Sequence, residues 1–235
     1  MNPLNEKNLP FDLPGGGKAE ILLDFTYWQT IPSNIQEKDI AAFLQAPLPI
    51  ACSRLGGTIR FTEESFSGHC YCELYEFKWA TDFRNEVLLI YLLNVEKSQQ
   101  GKGIGFHLFA HQLDWCRRFS IKHIRLFAEG GWLVGTDQRW ELLPLKGLRQ
   151  IPEQNGYYTW GRFGFEMYPQ YKGRFQSWNN YFKCQGARFP QLLFNESDRR
   201  KWKDLGFSWR GKFNVDPASS NTKSWERYVS SREPA

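Results

Sequence analysis

The chain has 235 residues, enough for one large domain or a compact domain with an elaboration, and its apolar fraction of 41% is ordinary. Five cysteines are an odd count in a chain too long to need staples, and no apolar run reaches signal-peptide or membrane-span length, so the sequence reads as soluble and cytoplasmic with reduced thiols. The net charge of +5 comes from residues 166–235, a bias that attracts nucleic acid or an acidic partner but is commoner as a solvated face.

Residues 1–18 hold Leu13-Pro14-Gly15-Gly16-Gly17 and read as a loose lead-in. Gly17-Lys18 lacks the earlier glycine and the Ser or Thr of a Walker A loop, which excludes that nucleotide site. A strand is expected over 19–28. From Asn34 to Gln45 the spacing of Ile35, Ile40, Ala41 and Leu44 predicts a helix. Further strands are expected at 57–62 and 69–79. The strongest runs from Glu86 to Val95 and is apolar on both faces, as a central buried strand should be.

Residues 103–118 carry helical spacing in Ile104, Leu108, Phe109, Leu113 and Cys116, and 122–128 read as a short strand. The Gly- and Pro-punctuated stretch 130–156 is long for a connection, so it is a functional loop or carries short elements of its own. Ser197 to Leu205 reads as a helix with Ser197 as N-cap and Gly206 as stop. A strand at 207–215 and a helix at 222–230 complete the list. The aromatic fraction of 17% is high, with ten Trp and nineteen Phe, and is expected chiefly to fill a core, part of it being available to line an apolar pocket.

The segment that carries chemistry is Gln100-Gly101-Lys102-Gly103-Ile104-Gly105, between a strand and an amphipathic helix. Glycines let the backbone approach a ligand closely, and the first amides of the helix lack intrahelical partners. With the positive end of the helix dipole they make an anion cradle suited to adjoining phosphates, and Lys102 adds charge. The dinucleotide fingerprint fails because position 106 is Phe.

What remains resembles the acyl-coenzyme A loop of the GNAT superfamily of N-acyltransferases, whose Gln/Arg-x-x-Gly-x-Gly/Ala pattern is met by Gln100, Gly103 and Gly105, with Leu93-Asn94-Val95 in the strand before it. The resemblance implies an α/β fold, a mixed central sheet flanked by helices, over 19–165, with an aromatic, basic extension at 166–235 packed on the same domain. It implies acetyl-coenzyme A or a longer acyl-coenzyme A as co-substrate, with Leu93 and Val95 offering main-chain partners to pantetheine and an amine attacking the thioester directly. The acceptor is then an amine on a small molecule, peptide or protein side chain, with aminoacyl-tRNA ranked last.

The sequence departs from the family where a Tyr-x-x-x-Gly-Phe helix end is usual. Trp160 stands at the Tyr position before Gly164-Phe165, and Trp202 does so before Gly206-Phe207 in a second register, the first being preferred. Tyr157 or Tyr158 is the substitute acid, with Tyr158 chosen. Glu129, at the end of the strand after the helix, is the expected base, and Tyr91 is expected to share a strand face with Leu89 and Leu93 and look into the same cleft. His69-Cys70-Tyr71-Cys72 and the His107/His111 pair lack the further ligands a zinc site needs. Arg199-Arg200-Lys201-Trp202-Lys203 mixes cations with an indole as stacking sites for nucleic acid do, though most such runs are solvated faces. A non-catalytic acyl-coenzyme A-binding or interaction module, and a nucleic-acid binder built on 166–235, are the competing classes.

Overall fold

The computed structural model describes residues 6–12, 18–24, 35–36, 39, 42–43, 55–62, 65–72, 74–132, 150–186 and 188–231. The chain divides into two compact units, Met1–Ile124 and Arg125–Ala235, so the division falls well before residue 165.

The first unit is built on six strands in chain order: β1 (Glu6–Asp12), β2 (Lys18–Asp24), β3 (Leu55–Thr62), β4 (Ser65–Cys72), β5 (Tyr75–Asp82) and β6 (Val87–Val95). Neighbours are antiparallel except β2 and β3, which are parallel, so the sheet is mixed. Helix α1 (Ile104–Arg118) follows β6. The α/β class expected from the sequence holds. Two details differ. Residues 6–12 form a strand inside the expected lead-in, and the strand expected at 69–79 is the end of β4 and the start of β5. Of the helix expected from Asn34 to Gln45, Asp39, Ala42 and Phe43 are helical and most of the rest lies outside the described residues.

β5 alternates strictly, burying Tyr75, Phe77, Trp79 and Thr81, the period-two signature of a strand with one face on the core. Trp79 stacks on Phe77 at 4.9 Å, and Phe43 meets Trp79 at 5.3 Å and Trp115 of α1 at 5.0 Å. The Arg118 guanidinium reaches the buried Asp39 carboxylate at 2.6 Å, which ties the helical residues near 39–43 to the end of α1.

The second unit takes up the chain within β7 (His123–Ala128). β8 (Gly130–Trp132) and β9 (Gln150–Asn155) pair antiparallel, so the stretch at 130–156 carries elements of its own; residues 133–149 lie outside the described residues. Then come α2 (Gly156–Arg162), β10 (Glu166–Met167), α3 (Pro169–Tyr181), α4 (Glu196–Leu205), β11 (Trp209–Asn214) and α5 (Ser220–Ser230). β11 lies between β7 and β10. The α4 cap is Asn195, not Ser197: its side chain accepts from the Asp198 amide at 3.1 Å, the N-cap geometry that Asn serves as well as Ser. Trp178, Trp202, Trp209 and Phe207 are fully buried here, so these aromatics fill the core of the second unit, while Tyr181 and Phe194 are exposed. The Tyr157 carbonyl accepts from both the Trp209 and Trp202 indoles, at 3.0 and 3.3 Å, which satisfies the polar handle a buried Trp carries.

Candidate active site

The glycine loop in the first unit has a defined shape. Lys97–Gln99 form one 3-10 turn after β6, Gln100 is extended, and Gly101 and Gly103 have φ of +82° and +86°. Side chains with a Cβ rarely tolerate that region, so both glycines are required by the backbone itself. A Cβ placed on Gly101 would meet nothing within 4 Å, so the loop borders open space. The Gln100 amide donates to the Val95 carbonyl at 3.1 Å and Lys102 Nζ to Gln99 Oε1 at 3.0 Å; the loop's side chains thus brace its own stem.

α1 starts at Gly103 with no side-chain cap and no acidic residue in its first turn. Its leading amides have no helical acceptor, and the unneutralised dipole end favours an anion there. Gly105 sits in that turn with Leu93 Cδ2 3.7 Å from where a Cβ would stand. Gln100, Gly101, Lys102, Gly103, Ile104 and Gly105 are therefore brought together with Leu93 and Val95, Gly101 and Lys102 standing exposed while the Gln100 and Lys102 amides are taken by carbonyls of the preceding turn, and Leu93 and Val95 lying in the strand before it.

β6 departs from the sequence expectation in its second half. The pairing runs Trp79 to Ile90 and then Lys78 to Leu92, which makes Tyr91 the extra residue of a β-bulge. One inserted residue reverses the alternation after it. Leu93 pairs with Phe77 and shares its face, whereas Leu89 pairs with Ala80 on the other. Tyr91 therefore does not share a face with both leucines: it stands out at 62% exposure, beside a strand whose first half is buried at Val87, Leu88 and Ile90. The single-face expectation was wrong because a bulge has no composition signal in an apolar run.

The remaining expected residues lie in the second unit. Glu129 follows β7; its carbonyl accepts from the Tyr157 amide at 3.2 Å while its side chain is exposed. A Cβ on Gly156 would lie 2.9 Å from that carbonyl oxygen, so α2 can start here only on glycine. Tyr157 is buried, its hydroxyl donates to the Lys203 carbonyl, and burial pushes its phenol up to about 12. Its proton is thus committed to the Lys203 carbonyl inside the core rather than offered to a cleft. Trp160 is also core, edge-on to Phe163 at 5.5 Å and Phe165 at 5.3 Å. Tyr158 is half-buried, with the Arg162 guanidinium over its ring at 5.6 Å. Arg162 was missed in the sequence, where the only signal was its position four residues after a tyrosine.

Two other stretches singled out in the sequence have defined surroundings. Trp202 is fully buried in the α4 stretch 199–203, Arg200 pairs with Glu196, and Lys201 donates to the Phe182 carbonyl at 3.0 Å. The indole is thus not available to stack on a base. His69 Nε2 lies 2.8 Å from Glu76 Oε1, with Lys78 Nζ 3.1 Å from the same oxygen, and Cys70 beside it points into the core. Hydrogen bonding from Lys78 and His69 holds the Glu76 carboxyl below its usual value. Among the described residues no three His, Cys, Asp or Glu side chains converge as a metal site would. Burial pushes the Cys116 thiol up, and burial with the Asp198 charge raises Cys184 to about 11, so neither supplies a thiolate nucleophile at neutral pH.

No family profile matches the chain, and no curated protein matches it. Among solved structures it is similar to a nourseothricin acetyltransferase, at 11% identity and a TM-score of 0.24 over 52% of this chain. The match spans 59% of that protein's length.

Proposed function

We propose that the protein is an acyl-coenzyme A-dependent N-acyltransferase, acting on an amine of a small molecule or peptide, with protein lysines next. The observation that carries this reading is the uncapped start of α1 behind two positive-φ glycines, a cradle whose donors match a pyrophosphate. The order of strands and helices and the Gln100, Gly103, Gly105 pattern support the GNAT resemblance. Leu93 and Val95 supply main-chain partners for the pantetheine arm.

Chemically, a neutral amine attacks the thioester carbonyl, the C–N bond forms, the C–S bond breaks, and coenzyme A leaves as a thiol after gaining a proton. Glu129 is assigned to take the ammonium proton and Tyr158 to give a proton to the sulfur; the loss of Tyr157 to the core leaves Tyr158 as the tyrosine of α2 for this role. Tyr91, lifted out of its strand by the bulge, is assigned to contact the acyl or acceptor group.

The test is release of free thiol from acetyl-, octanoyl- and palmitoyl-coenzyme A with a mixture of amines. Turnover with one chain length defines the donor. Binding of coenzyme A without thiol release from any donor makes the protein a non-catalytic acyl-coenzyme A-binding module instead. Glu129→Gln should shift or abolish the pH dependence of turnover; an unchanged profile removes Glu129 as base.

A further inference from the structure

Arg162 is the last residue of α2, where a cation suits the negative end of the helix dipole. The helix end does not need it, however. The Thr159, Trp160 and Gly161 carbonyls accept from the Phe163, Phe165 and Gly164 amides at 3.1, 3.1 and 3.0 Å. Arg162 lies over two tyrosine rings, 5.6 Å from the Tyr158 centroid and 4.7 Å from that of Tyr228. Tyr228 is itself held by Phe163 at 5.3 Å and Trp225 at 5.9 Å, so the surface under the guanidinium is fixed.

The contrast with other cations is informative. Arg118, Arg200, Lys122 and Lys201 each meet a carboxylate within 4 Å, whereas the contacts recorded for Arg162 among the described residues are with two tyrosine rings, and Arg227 over Phe194 at 4.8 Å rests on a single one. A guanidinium has five in-plane donors and no acceptor. What a guanidinium held over rings can still offer is its N–H fork, which fits the two oxygens of one oxyanion. Stacking also restricts the side chain beforehand, which lowers the ordering cost of binding.

We propose that Arg162, set on Tyr158 and Tyr228, is a receptor for an oxyanion, and that this oxyanion is a carboxylate of the acceptor substrate. Naming the acceptor as its source rests on the acyl-transfer reading; the receptor itself does not. The same chemistry is carried by the 3′-phosphate of coenzyme A, so the two sources are tested separately.

The full chain, labelled with nitrogen-15 arginine, is titrated with glutarate and separately with adenosine 3′,5′-bisphosphate, following the Arg162 Nε–H resonance identified by its loss in Arg162→Lys. The expected result is a saturable shift with glutarate. In turnover, Arg162→Gln should raise KM for L-lysine by about tenfold more than KM for 1,5-diaminopentane, which lacks the carboxylate. A resonance that neither probe moves overturns the receptor, and a response to the bisphosphate alone overturns the acceptor as its source. Absence of thiol release from every donor and amine would defeat the acyl-transfer reading while the resonance titration still decided the receptor.

Discussion

Helix α4 begins at Asn195, whose side chain takes the Asp198 amide, and its first turn carries Glu196 and Asp198. Helix α5 begins the same way, with Ser219 taking the Thr222 amide at 3.1 Å. Helix α3 lacks a side-chain cap but has Pro169 at its start, which removes one donor outright. α1 has none of these devices. It carries glycine at the cap, two backbone positions that only glycine adopts easily, and no carboxylate in its first turn. All four helices face the same problem of orphan amides. α4 and α5 answer it with a side-chain cap and α3 in part with proline, whereas α1 carries neither device.

The largest expected effect lies on the structural side of this comparison. Trp202→Ala removes a fully buried indole from among Trp178, Phe189 and Phe207 and should cost about 3–5 kcal/mol of stability, read as a lowered denaturation midpoint. The coenzyme A site proposed above lies on the glycine loop of the first unit, so at temperatures where the variant is still folded its affinity should be unchanged.

Gly105→Asp gives α1 the acidic first turn that α4 already has. The position has ordinary space and no positive φ, so the fold should hold or gain slightly from the dipole, while coenzyme A affinity should fall on the order of 100-fold as the carboxylate repels the phosphates. Gly103 is the poorer position for this purpose, because its φ of +86° would strain any replacement. Asn195→Ala makes the reverse change, uncapping α4, and should cost about 1 kcal/mol in thermal unfolding without altering affinity.

An effect absent at neutral pH appears only in alkali. The Tyr157 phenol is raised in the folded state to about 12, by burial first and by the Asp204 charge next. Above its ordinary value of about 10 the unfolded chain ionises while the folded one does not, so stability falls as pH rises between about 10 and 12. Tyr157→Phe should flatten that part of the melting-temperature curve.

Local signals made much of this legible. The strand–glycine–helix unit was readable because apolar periodicity changes from strand to helix across two glycines, and the observed α1 begins one residue later than expected. β11 and α5 followed from similar patterning. β1 was not legible: Glu6–Asp12 holds Pro10 and three charged residues, and it is a strand through its pairing with β2. The bulge at Tyr91 was hidden because every neighbour is apolar, and only the partner strand reveals the extra residue. The glycines of the candidate site were visible, but the state of Tyr157 and Tyr158 was not, since adjacent tyrosines differ only in which one the tertiary fold buries.

The most direct test is a calorimetric titration of the full chain with coenzyme A and, separately, with pantetheine, which carries the same arm without the pyrophosphate. If the α1 amides hold the diphosphate, coenzyme A should bind at least about 100-fold more tightly. Equal affinity for the two ligands, or no heat from coenzyme A, would contradict the assignment of this helix terminus.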